Sequence, residues 1–183
     1  MNTLMTVLLV LCALGSGAIG GVFFAFSNFV MPALARIAPA EGIHAMQAIN
    51  VTVLNRLFLG TFMGTGLLSL ATIVGALLPW HDTSSTCAVL AGAIYLLGSI
   101  LVTMRGNVPL NNALMRIAQA DALGEAIWNN YLRDWTRWNH VRTVACFAAM
   151  TLYIVALMFF TYESAPIHCF DMICRLSPDA ETN

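Results

Sequence analysis

The sequence predicts an all-α fold, a four-helix transmembrane bundle with helical extensions on one membrane face. Of its 183 residues, 59% are hydrophobic and only 9% are charged, whereas soluble domains carry about a quarter charged residues. Four apolar runs approach the roughly 20 residues that a helix needs to cross a bilayer. These runs lack the alternation of barrel strands, and only helices and closed barrels satisfy every backbone polar group in lipid.

The four apolar runs define one membrane domain. They cover roughly Leu4–Phe26, Leu57–Leu78, Cys87–Met104 and Thr143–Phe160. The first run is too long and lacks the basic start of a cleaved signal peptide. We therefore expect a membrane domain over residues 1–163 and a polar tail over residues 164–183.

The two long connections between the runs are predicted to be helical. The segment "APAEGIHAMQAINVTVLNRL" places Ile43, Met46, Ile49 and Val53 at helical spacing, and Pro39 suits a helix start. The segment "NVPLNNALMRIAQADALGEAIWNNYLRDW" is also typical of a helix, with Pro109 near its beginning. Both connections therefore predict helical extensions at one end of the bundle.

The charges orient the bundle in the bilayer. All eight basic residues are arginines, and Arg175 alone falls outside the two long connections and their edges. The positive-inside rule places these connections in the cytoplasm and both termini outside it, in a bacterial inner membrane. A net charge of -1 and the lack of a Lys/Arg run exclude a nucleic-acid partner. The lipid bilayer is the expected surrounding, and a homo-oligomer is compatible with the sequence.

Glycines and cysteines describe packing more than chemistry. Two G-x-x-x-G pairs, Gly17/Gly21 and Gly60/Gly64, predict close approach of helices. The cysteines form no metal-ligand pattern, so no metal site is predicted. Cys12, Cys87 and Cys146 are interpreted as small packing residues. Cys169 and Cys174 could form a local disulfide only if the tail faces an oxidising compartment.

One face of the last helix carries the residues most suited to a site. At helical spacing it presents Trp128, Tyr131, Trp135, Trp138, Asn139, Arg142 and Cys146. Two interpretations stay open, an interfacial aromatic belt and the lining of a binding site. Arg142 either snorkels to the headgroups or pairs with an anionic substrate oxygen or with Glu41. His140, beside this face, is either a solvated histidine or a proton acceptor.

Polar residues at the other helix ends converge on the same membrane side. Asn107 is placed to cap the following helix, and Asn111 shares its face one turn later. Asn28 lies where the first run ends, near Pro32, which is expected to kink or end that helix. Asn50 leads into the second run. This convergence predicts a pocket for a small hydrophobic or aromatic ligand.

The sequence resembles the anthrone oxygenase-like family of small membrane proteins. The likeness extends from about Leu8 to Leu157 and rests on "FFAFSNFVMPAL", "NVPLNNAL" and "WNNYLRDWTRWNHVRT". The resemblance implies a four-helix membrane fold and, as assigned to some members, oxidation of anthrones to anthraquinones without a metal or flavin cofactor. An anthrone has an acidic C–H bond whose carbanion reacts directly with dioxygen.

This chemistry would give each candidate residue a role. Trp135 and Trp138 would stack on the rings. The amides that would bind substrate oxygens are those of Asn28, Asn107, Asn111 and Asn139. Arg142 would hold the negative charge, and His140 would be the catalytic base.

Two non-enzymatic functions compete with the oxygenase hypothesis. The same pocket could bind or carry a lipid-like or quinone-like molecule that leaves chemically unchanged. The aromatic face could instead contact another membrane chain, which would make the protein a structural subunit. A haem protein is disfavoured because the histidines do not form facing pairs inside the spans. A transporter is disfavoured because no Asp, Glu or His lies mid-span.

Overall fold

The computed structural model describes residues 3–77, 83–117 and 122–163, and within these ranges the chain is helical without strands. The described ranges contain five helices: α1 (Thr3–Leu34), α2 (Pro39–Thr52), α3 (Arg56–Leu77), α4 (Thr83–Met115) and α5 (Ala122–Glu163). The predicted all-α class is confirmed. The predicted tail, with Cys169 and Cys174, lies outside the described residues.

Four of the helices are long and apolar enough to cross a membrane, namely α1, α3, α4 and α5. The protein is therefore an integral membrane protein. Helix α5 has 42 residues, which corresponds to about 63 Å at 1.5 Å per residue. The hydrocarbon core of a bilayer is only about 30 Å thick. The first part of α5 consequently extends beyond the core, as the predicted helical extension requires.

Helix α1 does not end at Pro32 but continues to Leu34. A π-helical segment, Phe26–Val30, precedes the proline, and the Met31 N–H donates to the carbonyl of Phe26, five residues back. Proline lacks an N–H, and its ring clashes with the carbonyl four residues earlier. The wider π turn shifts the hydrogen-bond pattern just before the proline, so the helix continues through it.

Pro109 shows the same arrangement in α4. The π-helical segment Thr103–Asn107 precedes it, and the Val108 N–H donates to the carbonyl of Thr103. The prediction that Asn107 caps a new helix is wrong, because its backbone is helical and its side chain makes no capping bond. The local preference of asparagine for caps is overridden by a tertiary contact, since the side chain points to α5 instead.

Two hydrophobic clusters form the interior. The larger one fills the bundle between the four long helices with residues such as Leu9, Ile19, Phe62, Tyr95 and Tyr153. The second lies at the end where α2 packs, and it contains Met31, Ile43, Met46, Leu114, Trp128, Tyr131 and Trp135. Helix α2 begins at Pro39, as predicted, and turns its apolar face toward α5. A separate packed layer thus closes this end of the bundle.

The glycines at helix contacts are mostly not those of the G-x-x-x-G pairs. A Cβ atom added at Gly21, Gly60 or Gly64 would meet nothing within 4 Å. The prediction that Gly60 and Gly64 bring helices together is therefore wrong within the described protein. At Gly20, by contrast, the added atom would lie 3.1 Å from the Cβ of Cys146 in α5. Gly20 is thus a true close-packing position between α1 and α5.

We predict that Gly20→Leu destabilises the bundle by about 1–3 kcal/mol, because the larger side chain overpacks the contact with α5. Gly21→Leu is the matched control, since it changes the neighbouring residue of the same helix and points into open space. Thermal unfolding of both variants in one detergent, followed by circular dichroism, measures the difference. Equal midpoints for the two variants would contradict the packing of α1 on α5.

Candidate functional site

The predicted face of α5 is buried along nearly its whole length. Trp128, Tyr131, Trp135, Asn139, Arg142 and Cys146 are all buried, whereas Trp138 is 45% exposed. The Trp138 ring lies over Gly106 of α4, where an added Cβ atom would come within 2.7 Å of the ring. Trp138 therefore covers the outside of the bundle, while the other members of the face point inward.

The aromatic residues of this face form a stack fixed by one amide. The rings of Trp128 and Tyr131 are 5.7 Å apart, and those of Tyr131 and Trp135 are 5.9 Å apart, both nearly parallel. The Tyr131 hydroxyl and the Trp135 Nε1 both donate to Oδ1 of Asn111, each over 2.8 Å. An indole N–H can only donate, so the Asn111 atom that it contacts must be the amide oxygen. The Nδ2 of Asn111 takes part in neither of these two bonds.

Two further asparagines connect α5 to its neighbours. Asn139 is fully buried, and its Nδ2 donates to the carbonyl of Phe23 and to Oγ of Ser27, both over 2.7 Å. Asn107 Nδ2 donates to the carbonyl of Trp135 over 3.1 Å. The Oδ1 of Asn107 is buried without a partner. The donated bonds of both amides nevertheless fix α5 against α1 and α4.

Arg142 is only 5% exposed, whereas every other arginine in the described ranges is exposed. Its guanidinium lies 4.0 Å above the ring centre of Phe23 and 5.3 Å from that of Trp135. Nη1 donates to Oγ1 of Thr103 over 3.1 Å, and Nη2 donates to Oδ1 of Asn139. The Nε atom is buried without a partner.

No carboxylate neutralises this charge in the described part of the chain. The ion pairs there join Asp134 to Arg133 and Arg137 on the surface. Glu41, the expected alternative partner of Arg142, is exposed. Since buried charges are normally paired, a guanidinium held only by neutral oxygens and ring faces retains its attraction for an anionic ligand.

A cavity of about 260 Å³ adjoins Arg142 at the end of the bundle where α2 packs. Its polar lining consists of Asn50, Thr103, Asn111 and Arg142, and the remaining lining residues are apolar, with several aromatic rings. The Nδ2 atom of Asn50 is buried without a hydrogen-bond partner. The volume is just below the roughly 300–1,000 Å³ of typical ligand pockets, so the cavity suits a compact ligand.

The structure brings together part of the predicted site. Asn111, Trp135 and Arg142 line the cavity. Asn107 and Asn139 are buried behind it and hold Trp135 and Arg142 in place. The remaining predicted residues, Asn28, Trp138 and His140, are exposed and do not line the cavity.

The sequence prediction counted Asn50 among the converging polar residues but gave it no role at the site, and it did not assign Thr103 or Phe23 to the site at all. A ligand-binding role for Asn50 could have been predicted, because it lies four residues after Met46 on the buried face of α2. Thr103 and Phe23 carry no such signal, since both lie in apolar runs of the sequence. Their role becomes visible only when α1 and α4 stand on either side of Arg142.

Metal-ligating residues are dispersed. Within the described ranges, no three His, Cys, Asp or Glu side chains come together in a group that could hold a metal ion. Cys12, Cys87 and Cys146 carry free thiols, and Cys12 and Cys146 are fully buried among helices. Their interpretation as packing residues agrees with this burial.

Comparison with protein families gives one match. Residues 54–152 match the family model described as anthrone oxygenase, which is more than half of the chain. The matched region includes α3, α4 and most of α5, and with them Asn111, Trp135 and Arg142. No curated protein and no solved structure matches the chain.

We predict that Asn111→Leu lowers the free energy of unfolding by about 1–3 kcal/mol, because it leaves the Trp135 N–H and the Tyr131 hydroxyl without their acceptor. Asn112→Leu is the control, since Asn112 is exposed and should tolerate the change within about 0.5 kcal/mol. Chemical unfolding in detergent followed by circular dichroism gives both values. Similar losses in the two variants would show that Asn111 does not fix the aromatic stack.

Proposed function

The chain belongs to the anthrone oxygenase family, and from this premise we propose that it binds a compact aromatic ketone from the membrane in the cavity and promotes its oxidation by dioxygen. The observation that carries this proposal is the guanidinium of Arg142, buried at an apolar cavity without a carboxylate partner among the described residues. An unneutralised positive charge is what a substrate requires when negative charge develops on its oxygen.

The apolar lining supports a flat ligand. Trp135 and Phe26 line the cavity with ring centres 5.7 Å apart. Phe58 and Phe62 lie on the side of α3, stacked at 5.8 Å. Aromatic faces bind other rings by burial and by stacked or edge contacts, so a fused ring system fits these walls better than a flexible polar molecule.

The polar lining supports a ligand that accepts hydrogen bonds. Asn50 and Asn111 both line the cavity. The Nδ2 of Asn50 is buried without a hydrogen-bond partner, and the oxygen of Asn111 is already bonded twice, so each amide can offer a ligand its N–H groups. Arg142 can only donate. Three donors around an apolar space favour a ring ketone over an alcohol or an amine, since only the ketone brings acceptors without donors of its own.

The proposed reaction balances with dioxygen as the oxidant. The ring C–H loses a proton, and its electron pair delocalises onto the ketone oxygen, beside Arg142. The resulting carbanion adds dioxygen to form a hydroperoxide, which loses water and leaves a second carbonyl. One substrate and one dioxygen thus give one quinone and one water. Arg142 accelerates the first step because it binds the enolate oxygen more strongly than the ketone.

The proton acceptor is water in this proposal. None of the residues that line the cavity in the described structure is a His, Asp or Glu. By favouring the enolate, Arg142 makes the C–H bond more acidic, so a weak acceptor is sufficient. We also propose that the cavity faces the cytoplasm, because the exposed arginines of α3, α4 and α5 lie at this end of the bundle.

A binder or carrier without chemistry is the second candidate. The missing proton acceptor in the described lining favours it, because binding alone needs only the donors and the rings. The two functions differ in the fate of the bound molecule. A carrier releases the ketone unchanged, whereas the oxygenase converts it to a quinone and consumes dioxygen.

We predict that Arg142→Gln lowers the rate of anthrone oxidation, above the spontaneous rate, by about tenfold to hundredfold. A bond to a charged donor contributes about 1.5–3 kcal/mol, which corresponds to this factor. Quinone absorbance and oxygen uptake by purified protein in detergent give the rate. Arg137→Gln is the control, since it removes an exposed arginine of the same helix that lies more than one turn before Arg142. Undiminished turnover by Arg142→Gln would overturn the proposal.

The contribution of His140 is tested separately. Because His140 is exposed and does not line the cavity, we expect His140→Ala to retain more than about half of the wild-type turnover. The same oxygen-uptake assay measures the turnover, with Arg142→Gln as the low-activity reference. A loss as large as that of Arg142→Gln would assign His140 a part in proton transfer and would remove water as the acceptor.

A further inference from the structure

We infer that the cavity opens sideways into the bilayer and that its ligand carries an aliphatic chain, which leaves through this opening while the ring is held at Arg142. The inference rests on the proposed function and names the substrate class within it, an aromatic ketone with an alkyl chain. The opening is the part of the cavity rim formed by Leu54, Leu59, Met63, Met104 and Val108.

Every residue of this opening is both apolar and exposed. Exposed aliphatic side chains around a pocket are a liability in water, but they are the expected surface against lipid chains. Leu59 and Met63 belong to α3, and Met104 and Val108 belong to α4. Leu54, in the connection before α3, lies at one edge of the opening. The rest of the opening therefore lies between two membrane-spanning helices.

The packing of α3 and α4 explains why an opening exists here. The two helices pack closely along Thr83–Leu101 of α4, but their packing is weaker along Thr103–Asn107. The latter segment is the π-helical turn that Pro109 imposes. The helices thus separate at the level of the cavity, and the side chains of Met63 and Met104 border the gap.

The depth of the opening agrees with an exit into hydrocarbon. Met63 lies seven residues into α3 from the exposed Arg56, which is about 10 Å along the helix axis. Met104 is next to the exposed Arg105 in α4. Arginines at the ends of spanning helices extend to the headgroups. The gap therefore begins at this polar boundary, where Leu54 and Val108 lie, and reaches about 10 Å into the apolar core at Met63.

Polarity changes from the inside of the cavity to its opening. The donors of Asn50, Asn111 and Arg142 belong to the lining, whereas the opening is purely aliphatic. An amphiphilic molecule with an oxygen-bearing ring and an alkyl chain matches this order. A cavity of about 260 Å³ holds the ring, and the chain has room only in the bilayer. Met63 and Met104 at the opening are suited to contact such a chain, because methionine side chains are flexible and adapt to different shapes.

The experiment is a competition followed by native mass spectrometry. Detergent-purified full-length protein is equilibrated with anthraquinone and a long-chain alkylanthraquinone together, and both bound forms are counted by mass. The occupancy ratio of the two ligands is compared between wild type and the variants Met63→Trp and Met104→Trp. Partitioning into micelles is identical in every sample, so a change in the ratio comes from the protein.

We expect wild type to bind both ligands, and each variant to lower the ratio of chain-bearing to chainless ligand at least about tenfold, because the indole obstructs the gap. Leu70→Trp is the control, since Leu70 is an exposed residue of α3 outside the cavity lining, and its ratio should not change. Circular dichroism of each variant confirms that it is folded.

The outcomes separate the two claims. If wild type takes up only the chainless ligand, or if both variants keep the wild-type ratio, the inferred opening is overturned while the proposed function stands. If wild type binds neither ligand, or if Arg142→Gln binds both as well as wild type does, the proposed function fails and the inference fails with it.

Discussion

The burial of one guanidinium is the constraint on which the functional end of this molecule depends. Placing an arginine inside a membrane helix costs about 2.5–3.5 kcal/mol on insertion scales, and Arg142 has no carboxylate in the described structure to offset that cost. The rings of Phe23 and Trp135 and the oxygens of Thr103 and Asn139 surround it instead. These partners come from α1, α4 and α5, so accommodating the charge also determines how three helices meet.

The helix geometry next to Arg142 is irregular. Phe26 and Thr103 both belong to π-helical segments, and both line the cavity. A π turn is wider than an α turn and redirects the side chains around it. Pro32 and Pro109 stabilise these turns by removing the N–H groups that a regular helix would use. The π turns are tolerated at this depth because their backbone groups still bond within the helix, as Met31 N–H does to Phe26 and Val108 N–H to Thr103.

The fold and part of the candidate site could be predicted from the sequence, for physical reasons that differ by residue. Helical spacing alone identifies Trp135 and Arg142, since both belong to one face of α5. Helical spacing does not predict that Trp138 is exposed, because its ring packs on the outside of α4 over Gly106, which has no side chain. Asn107 misleads in the same way, since a local capping preference is weaker than the tertiary bond to α5. The glycine pairs show that a motif cannot tell which face of a helix is inward.

The polar residues at the cavity separate into those whose bonds are used within the protein and those that keep a free donor. The Nδ2 of Asn139 donates both of its hydrogen bonds to α1, and its Oδ1 accepts one from Arg142. Asn139 therefore positions other groups and has no free donor for a ligand. Asn50 and Arg142 each keep a buried donor without a partner, at a cost to stability that a purely structural bundle would avoid by apolar packing. A carboxylate next to Arg142 would remove that cost, but it would also neutralise the charge that an enolate needs. A carboxylate beside Arg142 would favour folding stability, whereas its absence favours stabilisation of a developing anion. The described structure has the second arrangement.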